Sequence, residues 1–243
     1  MTSPHFRIGT AGWAIPRAVA DRFPAVGSGL GRYAARFNAV EINSTFYRPH
    51  RQSTFERWRD TAPADFRFAV KVPRAVTHEA KLRGCEALLA TFVADVRALR
   101  PNLGPLLVQL PPSLAFDPGT AEAFFAHLRR LWQGSVVCEP RHPSWFEAEA
   151  DGLLGECRVA RAGADPARHA RAASPGGWRG LSYWRLHGSP RMYYSSYEPK
   201  RLETLAAEMA ADPGPEVWCV FDNTTSGAAA ANALDLQART LRA

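Results

Sequence analysis

A chain of 243 residues with 46% hydrophobic and 22% charged residues has ordinary globular composition and material for a large core, which excludes global disorder. Its net charge of +7 favours anionic ligands such as phosphates, nucleotides or nucleic acid, although the arginines are scattered and only three lysines occur, Lys71, Lys81 and Lys200. The chain opens on no cationic start with a long apolar run, and nothing approaches the roughly 18 apolar residues of a membrane span, so a cytoplasmic protein without a membrane partner is expected.

Four cysteines, Cys85, Cys138, Cys157 and Cys219, lack any CxxC pairing and read as buried thiols rather than a disulfide framework or zinc site. Strand-like apolar runs are predicted at 7–12, 39–47 and 67–73, then a helix over 88–100, a strand at 105–111, a helix over 120–132 and a strand at 135–141. After a polar, weak candidate strand at 157–165 come a strand at 181–188, a helix over 199–210, a strand at 216–223 and a helix over 229–241. Repeated strand and helix imply a parallel sheet with helical crossovers. Eight such units without a linker favour a single α/β domain over residues 1–243, a closed (β/α)8 TIM-barrel-like fold. The first loop, GTAGWAIPR, is neither GxGxxG nor a GxxxxGK[ST] phosphate loop, which speaks against a nucleotide-binding open sheet.

Side chains alternate along a strand, so in AVEINST Glu41 and Asn43 face away from Val40 and Ile42, into the barrel. The same alternation turns Lys71, Gln109, Glu139, Arg141, Arg185 and His187 inward, and Thr10 and Asn223 are expected to join them. For the last strand, alternation leaves open whether Asp222 or Asn223 points in. Barrel interiors are usually filled by branched apolar residues, so this polarity points to a site at the C-terminal mouth. The structural alternative is a set of ion pairs, Glu41 with Lys71 or Glu139 with Arg141 or Arg185, that merely neutralise one another. His142 begins the next loop and serves either a helix cap or the substrate, while Trp13, Tyr47 and Tyr194 fall in or beside loops where aromatics either stack on a ligand or plug the barrel.

GTAGW (9–13), VEINSTFY (40–47), FAVKVPRAVTH (68–78), GPLLVQLPPS (104–113), EPRHPSW (139–145), YWRLHG (183–188) and FDNTTSGAAAANAL (221–234) resemble, in order, the landmarks of the YecE-like family of domains of unknown function. The resemblance covers nearly the whole chain and implies a single TIM-barrel-like domain, with no established reaction, cofactor or catalytic residues. Pro140 stands where that family usually has an aromatic residue, and 157–165 keeps only the Ala164-Asp165 ending of the usual apolar sixth strand.

The leading functional expectation is an enzyme, a phosphoester hydrolase first, acting on an anionic substrate with Glu41, Lys71, Glu139 and His187 as catalytic groups. Thr10, Trp13, Asn43, Tyr47, Gln109, Arg141, His142, Arg185, Tyr194 and Asn223 are its expected substrate contacts. The cofactor is unspecified: a dense metal set is lacking, and at most Glu139, His142 and His187 would hold one divalent ion. A glycosidase pair of Glu41 and Glu139 is one alternative, and nucleic-acid or nucleotide binding without catalysis is another. The oligomeric state is not legible.

Overall fold

The computed structural model describes residues 5–240, and strand and helix alternate along it as the periodicity predicts, except between 160 and 186, where four strands follow one another with only a 3-10 turn among them. The strands are β1 (His5–Thr10), β2 (Ala39–Ile42), β3 (Arg67–Lys71), β4 (Leu103–Gln109), β5 (Val136–Glu139), β6 (Ala160–Arg161), β7 (Gly163–Asp165), β8 (Gly176–Gly177), β9 (Ser182–Leu186) and β10 (Glu216–Phe221). The helices are α1 (Gly29–Ala34), α2 (Gln52–Thr61), α3 (Glu86–Val96), α4 (Pro118–Leu131), α5 (Ala148–Glu156), α6 (Pro199–Ala210) and α7 (Ala228–Thr240). Leu241, the last residue of the expected final helix, lies outside the described residues.

Hydrogen bonding divides the strands into two sheets, β1-β10-β9-β7 and β2-β3-β4-β5-β6-β8, parallel except for the short β6–β8 pair. The sheets meet twice. A single parallel bridge joins Ala11 to Glu41, and at the sixth position the chain passes from β6, paired with β5, to β7, paired with β9. The circuit is therefore a TIM-barrel-like (β/α)8 arrangement whose ladder is interrupted at two joints. The polar sixth unit explains one of them: Arg161 bonds outward to Asp151 Oδ1 (2.8 Å) and the Arg171 carbonyl (2.9 Å). Its buried side chain thus ties helix α5 to the segment that carries Arg171.

Strand 39–47 is shorter than expected. Asn43 adopts right-handed helical backbone angles, φ −87° and ψ −21°, and a short 3-10 turn over Ser44–Phe46 follows. Outward residues such as Val40, Ile42, Val70, Leu106, Val108 and Cys219 pack with the helices in the main core. A second cluster fills the barrel itself, where Ala39, Ala69 and Ala160 make room for Tyr183 and Trp218, stacked at 5.8 Å. Large residues from β9 and β10 are thus matched by small ones opposite, the complementarity that close packing demands. Above this apolar filling lies the polar ring.

Gly9 sits at the joint of the two sheets. A Cβ there would lie 2.0 Å from the Ala39 carbonyl oxygen and 2.9 Å from the Tyr33 hydroxyl, which itself donates to Ala39 O and accepts from the Thr10 amide. Gly9→Ala must push β1 from β2, and we expect a loss of about 1–3 kcal/mol, read as a lower urea midpoint at unchanged m-value.

Candidate functional site

The ring is built around Arg185, whose side chain is fully buried near the end of β9. Its Nε and one terminal nitrogen hold Glu41 in a two-point contact, at 2.9 and 2.6 Å, from β2. Its other terminal nitrogen donates to Glu139 at 2.7 Å, from β5, while the nitrogen shared with Glu41 also reaches Asp222 at 3.2 Å, just past β10. His187 lies between two of the same carboxylates, with Nε2 2.8 Å from Glu139 and Nδ1 3.1 Å from Asp222. Tyr183 donates to Glu41 (2.9 Å), Gln109 to Glu139 (2.8 Å) and Arg141 to Glu139 (3.3 Å). Such bidentate, charge-assisted bonds are the strong kind, and they stabilise only when every charge is matched.

The electrostatics follow from that matching. Burial opposes charge on Glu139, yet Arg185, His187 and Arg141 outweigh it and hold the carboxyl well below its ordinary range. Asp222 is likewise lowered against burial by Arg185 and His187. Burial works against the His187 cation, but Glu139 and the bonds to Asp222 and Glu139 raise its pKa. With both ring nitrogens facing carboxylates it is held as an imidazolium, which leaves no free lone pair for a base.

Lys71 is the exception. Its side chain turns inward from the end of β3 and is 6% exposed, yet among the described residues no carboxylate oxygen lies within 4.0 Å of Nζ. The ammonium instead sits 4.2 Å from the centre of the Phe46 ring. Burial and the nearby Arg185 cation lower its pKa to about 8, the carboxylates pulling back less. His78 makes a T-shaped contact with Phe46, 5.0 Å between ring centres, and burial together with Lys71, Arg74 and Arg141 lowers its pKa and favours the neutral imidazole.

Of the residues expected from the sequence, Glu41, Lys71, Gln109, Glu139, Arg141, Arg185 and His187 are brought together, and Asn43 joins through its amide, 3.4 Å from Asp222 Oδ1. Thr10 does not. It shares the outward face of Ile8 and bonds the Tyr33 hydroxyl, because β1 runs one step out of phase with the expected alternation. Asn223 is also outward, bonded to Ser195 O and Asn232 Oδ1, and Asp222 takes the ring position. His142 accepts from the Ser144 amide as the cap of the next turn, Trp13 packs edge-on against Trp58, and Tyr47 is 78% exposed beside Phe46. Tyr194 lies on the surface under the Arg191 guanidinium.

No group of three or more metal-ligating side chains with suitable spacing occurs among the described residues, so Glu139, His142 and His187 do not converge on an ion. All four cysteines are free thiols, with Cys157 only half-buried. Sequence reasoning leaves Asp222 undecided, misses Tyr183 and places Tyr193 only as one of the loop aromatics. Asp222 shares the inward face of Val220 and Trp218, and Tyr183 that of Arg185, a parity readable from the sequence. Tyr193, in the left-handed region at φ 68°, packs edge-on to His187 and its phenol helps hold Arg141 charged, and no strand pattern announces it.

A narrow crevice reaches the ring between Arg141, Phe146, Pro166 and Met192, touching Glu139 and His187. A roomier hollow of about 610 Å³ lies to the side, between the loops after β2 and β3, and shares Phe46 with Lys71.

Two tests follow from the ring. Arg185→Met leaves Glu41, Glu139 and Asp222 buried without their common partner, and a loss of about 3–5 kcal/mol is expected from denaturant titration. Glu139 and Asp222, whose pKa values are lowered, contribute stability above the ordinary carboxylate range that is lost as pH falls through their folded values. His187 contributes fully below its ordinary value of 6.5 and loses that contribution as pH rises through its raised one. In His187→Gln, the difference from wild type should therefore be largest in mildly acidic buffer and shrink as pH rises, measured as urea midpoints across pH.

Comparison with known proteins agrees with this fold. The family described as "Protein of unknown function DUF72" matches residues 7–242. UPF0759 protein YecE of Escherichia coli (strain K12) is 34% identical over 140 residues, covering 57% of this chain and 49% of that protein, so the match spans about half the length of the curated relative. A crystal structure of a DUF72 protein from Enterococcus faecalis superposes with a TM-score of 0.82 at 19% identity over 97% of this chain and 95% of the other. One from Thermotoga maritima gives 0.79 at 24% identity over 98% and 100%. With the profile matched from the first strand to the last helix, the chain belongs to the DUF72 family.

Proposed function

We propose that this chain is an enzyme that takes a small anionic substrate at the C-terminal mouth of its barrel, where Arg141 and Lys71 meet the anion. The observation that carries this reading is the solitary Lys71 ammonium. Three carboxylates act on it electrostatically, yet Arg185, His187, Tyr183 and Gln109 occupy them, and burying an unpaired cation is costly. A lysine retained only for packing would be paired or replaced by an apolar side chain, whereas a group kept at a cost to stability fits a role in binding or chemistry. Arg141 makes one carboxylate contact and keeps further donors for a ligand.

Phosphoester hydrolysis is one form of this reading. Arg141 and Lys71 would offset charge developing on the phosphoryl oxygens, and the neutral imidazole of His78 is the base left for the attacking water, since the carboxylates are spent as acceptors. The glycosidase alternative loses support, because Glu41 and Glu139 are both bound to one guanidinium and neither is free as acid or nucleophile. Nucleic-acid binding keeps one supporting observation, the exposed Arg191 guanidinium stacked 3.9 Å from the Tyr194 ring centre.

A thermal-shift screen of phosphomonoesters, nucleotides and short oligonucleotides tests these readings. A small phosphorylated compound is expected to raise the Tm of wild type and not of Arg141→Ala. A shift with oligonucleotides alone, unchanged in that variant and steeply weakened by salt, would replace the enzyme by a surface binder. Lys71 gives a separate check. Its lowered pKa means that the folded state disfavours the ammonium, so stability rises with pH through about 8 and the charge is a burden at pH 7. Lys71→Met is expected to stabilise the ligand-free protein there by on the order of 1–3 kcal/mol while abolishing the ligand shift.

A further inference from the structure

We propose that Lys71 is a nucleophilic amine, forming an imine with the carbonyl carbon of an anionic oxo compound such as a 2-oxo acid whose carboxylate is held by Arg141. This rests on the anion-binding reading above and names its substrate class. Three features of the mouth support it. Nζ has no fixed ionic partner within 4.0 Å among the described residues and lies over the Phe46 face, so on losing a proton its lone pair is uncommitted. Arg141 stands half-buried beside Glu139 with donors to spare, in the planar fork that suits a carboxylate. Asn43 Oδ1 is buried with no hydrogen-bond donor, while its amide nitrogen reaches Asp222, one of the charges acting on Lys71. An orphaned acceptor of this kind is costly in the empty site and is satisfied by a hydroxyl or N–H formed there.

The chemistry balances within the site. The amine lone pair attacks the carbonyl carbon, a C–N bond forms, and the C=O π pair moves to oxygen, which takes up the proton that nitrogen gives away. The hydroxyl of the resulting carbinolamine then takes up a second proton and leaves as water as the nitrogen lone pair closes the C=N bond, and the last N–H proton is given up to replace the one consumed. Neutral His78, whose Nδ1 is engaged by Thr77 Oγ1 at 2.9 Å, is placed in the field of Lys71 and Arg141 to carry these protons. With its pKa at about 8, Lys71 holds a useful fraction of free amine near neutral pH, as amines desolvated beside another cation do.

The test is reductive trapping with sodium borohydride in the presence of pyruvate, followed by peptide mass mapping. The chain has only two other lysines, Lys81 and Lys200, both exposed, which serve as internal controls. The expected result is one reduced adduct, on Lys71, formed with pyruvate and at least tenfold less with acetone at equal concentration. Lys71→Arg should give none, and Arg141→Ala, which retains the amine, should give at least tenfold less. Absence of an adduct on Lys71, equal labelling of all three lysines, or equal labelling by acetone overturns the proposal. If trapping fails while phosphomonoesters still stabilise wild type and not Arg141→Ala, the imine is wrong and the anion site stands. If neither trapping nor stabilisation occurs, both fall together.

Discussion

The contact on which the rest of this molecule depends is the guanidinium of Arg185 between Glu41 and Glu139. Backbone hydrogen bonds leave the barrel as two sheets joined by one bridge and one broken strand, and Arg185 belongs to one sheet while both glutamates belong to the other. Tyr183 to Glu41 and His187 to Glu139 cross in the same direction. The interior ion network therefore does part of the closing that a continuous ladder does in a regular barrel. Its members are buried charges, which stabilise little by net energy but penalise any arrangement that separates them. Such a network favours one relative placement of the sheets over its neighbours.

That structural duty changes how the polar ring is read. Two carboxylates and a histidine on barrel strands look catalytic in sequence, because interior polarity is unusual. In the folded chain they answer one another: each oxygen of Glu41 and Glu139 accepts at least one donor, and both nitrogens of His187 face an acid. A fully matched group has no capacity left for a substrate proton. The residues with unspent capacity are at the rim, Lys71 at the end of its strand and His78, Arg141 and Asn43 beyond the ends of theirs.

The fold was legible because its signals are periodic. Helix α6 occupies the residues that its apolar spacing marks, and the inward set of β3, β4, β5 and β9 follows from alternation alone. Alternation failed where the chain leaves the strand. Thr10 and Asn223 face outward because parity must be counted from Ile8 and Phe221, which lie in the outer core, and not from the polar residue at the end. For the same reason alternation alone does not choose Asp222 over Asn223. Asn43 fell past the end of β2 because a 3-10 turn begins there, and a four-residue strand gives no pattern that predicts its own stop. Tyr193 and Phe46 act through loop geometry, one at positive φ and one as the platform under an ammonium, and neither property has a sequence period.

Phe46 ties these strands of reasoning together. It is buried, it borders the hollow beside the mouth, and it supports an ammonium that no carboxylate among the described residues pairs. A cation over an aromatic face is held more weakly than one paired with a carboxylate, on the order of 1–2 kcal/mol when desolvated. That is enough to place Nζ, and too little to neutralise it. Carboxylates close to Lys71 are kept from it by Arg185, so the interaction that locks the two sheets together also keeps the lysine unpaired. Removing the lock would free Glu41 and Glu139 to pair with Lys71 and raise its basicity. The structural network and the reactive rim are thus one electrostatic system, in which stability of the barrel and availability of its amine have the same origin.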